Sequence, residues 1–362
     1  MRFVTLTASY GEGHNAAARG LHAAFLELGA ESEIVDLFAI TGGAFYERSR
    51  RGYITLINRA PKIWAFVFGL IHRFPVAEFS LPALGKMQFA LARLLAEKKP
   101  HAVISVYPVY GYLIEKLFPR RADRTFAFHT VVTDSITINS VWYRCASDTF
   151  HVPNDDSARV MRAAGIASET IHASGFPVLA RFSDPRPPRP VPGRSLPGRV
   201  LFVINAGKDR APAVVERLVR LDGIHLTVAV GRDEALRARI AQIARDAGRE
   251  IEIHGWTDRM PELVLSHHIL IGKAGGATVQ EAIAARTPML ITQVVPGQEE
   301  GNAQLLFQNG CGALCETPEV IAAQVQSLFA NDAERWKRWE ANIARISKPD
   351  AARVIARFCS RT

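Results

Sequence analysis

A break near the middle of the chain constrains its fold more than anything else in the sequence. Residues 183–198, SDPRPPRPVPGRSLPG, carry six prolines. A stretch so short of backbone N–H donors continues neither a helix nor a central strand, so it reads as a linker. The same alternation runs on both sides of it. Before the break, Arg2–Ala8, Ser32–Leu37, His101–Val106 and Thr125–Val132 read as strands, and Ala16–Leu28 reads as a helix ending at Gly29. After it, Arg199–Asn205, His225–Val230, Glu250–His254, His268–Ile271 and, as the last, Met289–Thr292 read as strands. Helices are expected over Pro212–Leu221, Glu234–Ala247 and Val279–Ala285, and the tail from Pro318 onward reads as helical throughout. Alternating strands and helices build parallel sheets covered on both faces. At about 100–200 residues per domain, 362 residues make two domains. The expected fold class is therefore α/β, with two doubly wound domains facing each other across a cleft at the strand carboxyl ends, where such sheets bind ligands.

Charge is distributed unevenly. The chain carries a formal +9, and residues 41–100 account for +7 of it, with ten Lys/Arg against Glu47, Glu78 and Glu97. The same stretch holds Phe45, Tyr46, Tyr53, Trp64, Phe66, Phe68, Phe74, Phe79 and Phe89. Basic residues interleaved with large aromatics suit an anionic membrane surface, where rings enter the headgroup layer and cations meet lipid phosphate. Nucleic acid would be met by the same residue types. A helical hairpin with a packed apolar face and a solvated basic face is the plain alternative. The longest apolar run, Ile63–Ile71, is nine residues, against the ~20 needed to span a bilayer. The amino-terminal segment shows no secretory signal pattern, so a cytoplasmic protein is expected, free or bound at a membrane surface. Cys145, Cys311, Cys315 and Cys359 make no disulfide framework, and Cys311 and Cys315 lack the second ligand pair a zinc site needs.

Three segments suit chemistry. Ser9-Tyr10-Gly11-Glu12-Gly13-His14 follows the first strand and precedes a helix. It lacks the Lys-Ser/Thr of a phosphate-binding P-loop, and Ala16 breaks the dinucleotide pattern. A neutral imidazole at a helix N-terminus is suited to accept a proton near pH 7; a capping turn with an incidental histidine is the alternative. Gly272-Lys273-Ala274-Gly275-Gly276-Ala277-Thr278-Val279-Gln280-Glu281 is again strand, glycine turn and helix, the arrangement that holds a diphosphate. A capping box between Thr278 and Glu281 uses the same spacing. Val295-Pro296-Gly297-Gln298-Glu299-Glu300-Gly301-Asn302 presents amides and carboxylates suited to sugar hydroxyls, with a surface turn as the alternative. Weaker candidates are Gly207 and Lys208, after the first strand of the second half, and Gly255-Trp256, where a flat base would stack. Packing between strand and helix is the alternative for Trp256. His267 and His268 are adjacent, so their side chains would diverge on a strand.

Taken in order, these motifs resemble the monogalactosyldiacylglycerol synthases and bacterial processive diacylglycerol glucosyltransferases. Those are inverting GT-B enzymes related to the peptidoglycan N-acetylglucosaminyltransferase. The resemblance rests on SYGEGHNAA, on VVTDSITINSVWY (131–143), on residues 150–182 with their Gly-Phe-Pro-Val element, and above all on residues 271–306. Three positions depart from the family pattern: the 205–208 loop is poorer in glycine, Gly272 stands where Thr is frequent, and Glu12 replaces a small or amide residue. The resemblance implies an N-terminal acceptor and membrane domain over 1–182, the linker over 183–198 and a nucleotide-sugar domain over 199–345. A closing helix over 346–362 would return to the first domain. A UDP-sugar is the implied co-substrate, with Gly255 and Trp256 at the base, Glu281 at the ribose, and Gly275, Gly276 and Thr278 at the diphosphate. Lys273, Gly207 and Lys208 would lie near the phosphates, and Gln298, Glu299 and Asn302 would hold the sugar. His14 would deprotonate the acceptor hydroxyl, with Gly11, Gly13, Tyr107, Asp134 and Trp142 on the acceptor side. No cofactor and no metal are implied. The expected activity is transfer of a hexose to a lipid hydroxyl, that of diacylglycerol, with inversion, on the inner face of the cell membrane and without nucleic acid as a partner. The alternatives are a polyprenyl-linked or soluble acceptor, a UDP-sugar epimerase, and a non-catalytic sugar-nucleotide sensor.

Overall fold

The computed structural model describes residues 1–74, 84–193 and 196–362. Residues 75–83, with Glu78 and Phe79 of the basic-aromatic stretch, and 194–195 of the proline-rich one lie outside the described residues, as do the side chains of Phe45 and Asn58. The chain forms two compact units. One comprises residues 1–180, 295–301 and 348–362; the other comprises 181–294 and 302–347. The backbone thus passes from one unit to the other four times.

The first unit is built on six parallel strands: β1 (Arg2–Leu6), β2 (Glu31–Val35), β3 (Ala102–Ser105), β4 (Ala127–Val131), β5 (Thr149–His151) and β6 (Ile171–His172). Their order is β2-β1-β3-β4-β5-β6. Val4, Leu6, Val103 and Phe128 are fully buried, as strands covered on both faces require. Beside them pack Leu91 and Leu113 from flanking helices. A second cluster gathers Trp142, Phe150, Val152 and Met161. Because β2 and β3 lie on opposite sides of β1, the strand order reverses there, and the carboxyl ends of β1 and β3 flank the point where such sheets bind ligands. The helix after β1 runs over Glu12–Glu27 and buries Ala16, Ala17, Ala18, Gly20 and Leu21. Its small residues allow close approach: a Cβ added at Gly20 would lie 2.2 Å from the Pro177 carbonyl oxygen. The Ala351–Cys359 helix lies against it, and Arg353 Nε donates to Glu27 Oε2 at 2.7 Å.

The second unit repeats the plan with β7 (Gly198–Val203), β8 (Ile224–Gly231), β9 (Glu252–Gly255), β10 (Ile269–Lys273), β11 (Met289–Gln293) and β12 (Gly312–Leu314). The order is β12-β11-β10-β7-β8-β9, all parallel, so the reversal falls between β7 and β10. Val200, Val215, Val228, Ile240, Ile271 and Leu290 form its core. The proline-rich stretch is anchored to this unit by Arg189. Its guanidinium donates to the carbonyls of Ala285 (2.6 Å) and Arg286 (3.0 Å), to Thr287 Oγ1 (3.0 Å) and to the His267 carbonyl. Burial lowers the Arg189 pKa to about 10.

Three expectations are corrected, and three short strands are added. The first helix begins at Glu12 rather than Ala16, because Gly11 is extended (φ −154°) and the chain turns directly after it. The 289–293 strand is not the last, since β12 follows it. Strands β5, β6 and β12, of two or three residues each, are too short for a periodic signal. The tail is not helical throughout: the Pro318–Ile346 helix is interrupted over Ala330–Ala333, and Ala351–Cys359 is a separate helix.

Candidate active site

In the first unit the candidate residues gather at the carboxyl ends of β1, β3 and β4. The turn Ser9–Gly11 is held from below. Asp36 Oδ2 accepts from the backbone N–H (2.9 Å) and hydroxyl (2.8 Å) of Ser9, while its Oδ1 accepts from Ala39 N (3.0 Å) and so caps the Leu37–Arg59 helix. Asn15 donates to Ser9 Oγ at 3.2 Å and accepts from Thr7 Oγ1 at 3.0 Å. Gly11 is the residue before the helix, with no side-chain cap on the first turn, and Gly13 lies within that turn.

His14 is fixed by one ring nitrogen. Its Nδ1 lies 2.8 Å from the Val106 carbonyl oxygen and 3.1 Å from Thr133 Oγ1. A carbonyl only accepts, so Nδ1 carries the proton and Nε2 keeps its lone pair. Tyr107 meets the ring edge-on at 5.0 Å and Trp142 lies at 6.0 Å. Burial lowers the His14 pKa to about 4, only partly opposed by the Val106 hydrogen bond. The imidazole is therefore neutral across the physiological range, and burial rather than the helix terminus is the cause. Asp134 accepts from Trp142 Nε1 at 2.7 Å, and burial raises its carboxyl pKa to about 6.

Gln298 and Glu299 were expected with the nucleotide-sugar residues, and both lie in the 295–301 segment of the first unit. Gln298 Oε1 accepts from Tyr53 OH at 2.7 Å. Glu299 is buried, and its Oε2 accepts from Val295 N at 3.0 Å. Thr137 holds the segment at both ends, donating to the Gly297 carbonyl (3.0 Å) and accepting from Gly301 N (3.1 Å).

In the second unit, Gly207 and the Lys273–Gly276 turn follow the adjacent strands β7 and β10. Gly207 takes φ +66°, the left-handed region that glycine enters without strain. Lys208 is paired with Asp233 (2.7 Å), the residue that caps the Glu234–Asp246 helix. The Gly276–Ala284 helix is preceded by Gly275 with no side-chain cap, which leaves the N–H groups of its first turn to a ligand. The capping box is thus not formed: Thr278 lies inside the first turn and Glu281 one turn further along. Asn302 supports the loop from beneath, donating to the Ala274 carbonyl at 3.2 Å, and its Oδ1 is buried without a hydrogen-bond partner. Gly255 closes β9, and Gly231 is its partner in β8. Trp256 beside it is 66% exposed, with the Arg232 guanidinium 5.3 Å from its ring centre, so packing between strand and helix is not its role. His267 and His268 are both buried and bonded, to Leu263 and Thr227 and to Arg199 and Pro190 respectively.

The sequence reading missed Asp36, Val106, Thr133 and Tyr53. Only Asp36 carried a signal, an acidic residue directly before the Leu-Phe-Ala-Ile helix start. It also missed a pocket lined by Ala206, Gly207, Arg210, Thr292, Gln293 and Glu316, where Arg210 donates to the Glu316 carbonyl at 3.1 Å.

Residues 14–178 match the model of the monogalactosyldiacylglycerol (MGDG) synthase family, and residues 208–355 match that of the glycosyltransferase family 28 C-terminal domain. Both halves of the chain thus match models of glycosyltransferase families. It is an enzyme of the UDP-sugar-dependent hexosyltransferase class. The processive diacylglycerol beta-glucosyltransferase of Bacillus subtilis (strain 168) is 24% identical over 363 residues, covering 98% of this chain and 93% of that one. A probable chloroplastic monogalactosyldiacylglycerol synthase of Glycine max is 25% identical over 374 residues, covering 97% and 69%. Among solved structures, MurG of Acinetobacter baumannii superposes with a TM-score of 0.62 at 14% identity, covering 100% of this chain and 99% of that one. The spinosyn rhamnosyltransferase SpnG complexed with thymidine diphosphate gives 0.59 at 14% identity, covering 99% and 100%. The fold shared with these is GT-B.

Proposed function

We propose that this glycosyltransferase moves a hexose from a UDP-sugar to the hydroxyl of diacylglycerol, with inversion, and that His14 is the general base. The observation that carries this reading is the tethering of His14 through Nδ1, which leaves a neutral Nε2 to take the acceptor proton. As that proton leaves, the oxygen attacks the anomeric carbon and the bond to the diphosphate breaks, the nucleotide departing as UDP. General-base help of this kind contributes roughly 10²–10⁴-fold. The uncapped N–H groups before Thr278, with Lys273 at the end of β10, suit the charge that develops on the departing diphosphate. The reading needs no metal.

The acceptor is lipid in this reading, and an apolar stripe supports it. Ile63, Phe66 and Leu70 recur at helical spacing along the Pro61–Arg73 helix, and all three are exposed. Phe74 and Phe89 are exposed as well, and Arg59, Lys62 and Arg73 flank the stripe. Such a helix lies in the headgroup layer of an anionic membrane. Among the described residues no single helix is long and apolar enough to cross a membrane. We place the enzyme at the inner face of the cell membrane.

The test is incubation of the purified chain with a panel of UDP-sugars and diacylglycerol in anionic mixed micelles, alongside His14→Ala. UDP release with a new glycolipid of inverted anomeric configuration, lost in the variant, is the expected result. A sugar-nucleotide altered without any acceptor would instead identify an epimerase. UDP binding without any product would point to another acceptor or to a sensor.

A further inference from the structure

The first unit holds a second convergence of reactive side chains, on a face of its sheet that the transfer reaction does not use. His129 lies on β4 and is in register with Thr149 of β5; His151 stands two residues beyond Thr149, so both imidazoles leave the same face of the sheet. The Ala351–Cys359 helix brings Cys359 against that face. His129, His151 and Cys359 are all buried, and one ligand atom from each lies within 4.8 Å of the other two. Cys359 is a free thiol.

Each imidazole is held by a hydroxyl at Nδ1: His129 by Thr149 Oγ1 at 2.7 Å, and His151 by Ser174 Oγ at 2.8 Å. Metal-bound histidines are oriented in this way, with one nitrogen engaged by a neighbouring polar group and the other presented to the ion. Phe358 packs edge-on against both rings, at 6.0 Å from His129 and 5.1 Å from His151, and fixes their tilt. Thr362 Oγ1 lies 3.2 Å from His129 Nε2, and Thr149 Oγ1 lies 3.4 Å from His151 Nε2. Nearby, Asp148 is paired with both Arg121 (3.0 Å) and Arg124 (2.6 Å).

We propose that His129, His151 and Cys359 bind a zinc ion that staples the closing helix to the sheet. Two imidazole nitrogens and one thiolate are a donor set that suits Zn²⁺, with an oxygen, from Thr362 or water, in the fourth position. Tetrahedral bonds of ~2.0–2.3 Å hold ligand atoms roughly 3.5 Å apart, so the three groups draw in by about 1 Å on binding. The ion displaces one proton, that of the Cys359 thiol, as the sulfur–zinc bond forms. None of its three ligands is a residue the transfer reaction uses, and its role is to hold the tail.

The test uses the full chain stripped with a chelator and titrated with Zn²⁺ alone or Co²⁺ alone. Expected are one ion per chain by metal analysis, one proton released per Zn²⁺ at pH 7, and a rise in Tm. With Co²⁺ a thiolate-to-cobalt charge-transfer band and tetrahedral d–d absorption should appear. Cys359→Ser should lose the charge-transfer band, and His151→Gln should weaken binding at least tenfold. The wild-type spectrum decides the question even if a variant does not fold. No saturable binding, binding without the thiolate band, or an unchanged spectrum in Cys359→Ser would each overturn the proposal.

Discussion

The environment of His14 makes a quantitative claim about pH. A histidine of ordinary pKa, 6.5, is only about 9% neutral at pH 5.5, whereas one lowered to about 4 is about 97% neutral there. If His14 Nε2 takes the acceptor proton, the acid limb of kcat/KM should lie near pH 4, and the enzyme at pH 5.5 should keep nearly all of its neutral-pH activity. The quantity to follow is kcat/KM, because it reports the groups of the free enzyme. Asp134 is the competitor for the role, with a carboxyl raised to about 6. Were Asp134 the base, the limb would lie near 6, and activity at pH 5.5 would drop to roughly a quarter of its plateau. The assay is initial-rate UDP release in anionic micelles from pH 4.5 to 8, for the wild type, Asp134→Asn and His14→Ala. We expect Asp134→Asn to lower the plateau, since it disturbs the tie to Trp142, without moving the limb. His14→Ala should lose about 10²–10⁴-fold in kcat while still binding UDP. A limb near 6 or above, or one that disappears in Asp134→Asn, would refute the reasoning.

Further outcomes follow from the packing. His267 and His268 are each lowered to about 4 by burial; the unfolded chain therefore binds more protons, and their contribution to stability is complete above pH 6.5 and lost as pH falls toward 4. Urea unfolding at pH 5 against pH 7 should show a loss on the order of 2 kcal/mol per imidazole, and conservative replacement of His268 by Gln should flatten that slope. Arg189→Ala leaves four acceptors without their donor and should cost about 3 kcal/mol or more, read as a Tm fall on the order of 5–10 °C. Replacing Ile63, Phe66 and Leu70 together by Ser should weaken binding to anionic vesicles about 100-fold or more with Tm and UDP affinity unchanged, because all three side chains are exposed. Gly20→Ala forces a methyl group onto the Pro177 carbonyl and should destabilise by about 2–3 kcal/mol in thermal or urea unfolding.

Legibility followed the length of the signal. Buried strands such as β1, β4 and β8 read directly as apolar runs, and the Gly-rich turns after β1 and β10 marked the candidate residues of each unit. Strands β5, β6 and β12 escaped because two or three residues carry no period. The tether of His14 escaped for a different reason. Its partner is the main-chain oxygen of Val106, 92 residues away, and a carbonyl has no sequence signature. Asp36 had a local signal as a helix cap, but nothing local tells that its second oxygen holds Ser9. For Gln298 the amide in a polar loop is visible in the sequence, while its bond to Tyr53 spans 245 positions.

The four passages of the backbone between units set an order on biosynthesis. Domains emerging from the ribosome fold in sequence, the earliest first, at about 5–20 residues per second. Here the second unit has all of its residues by position 347, whereas the first still lacks the segment 348–362. Until that segment arrives, the surface of the Glu12–Glu27 helix that receives Ala351–Cys359 stays uncovered. Counted from residue 180, the wait lasts on the order of 10–30 s. The half that begins translation first is thus completed last, with part of that helix surface open throughout the interval.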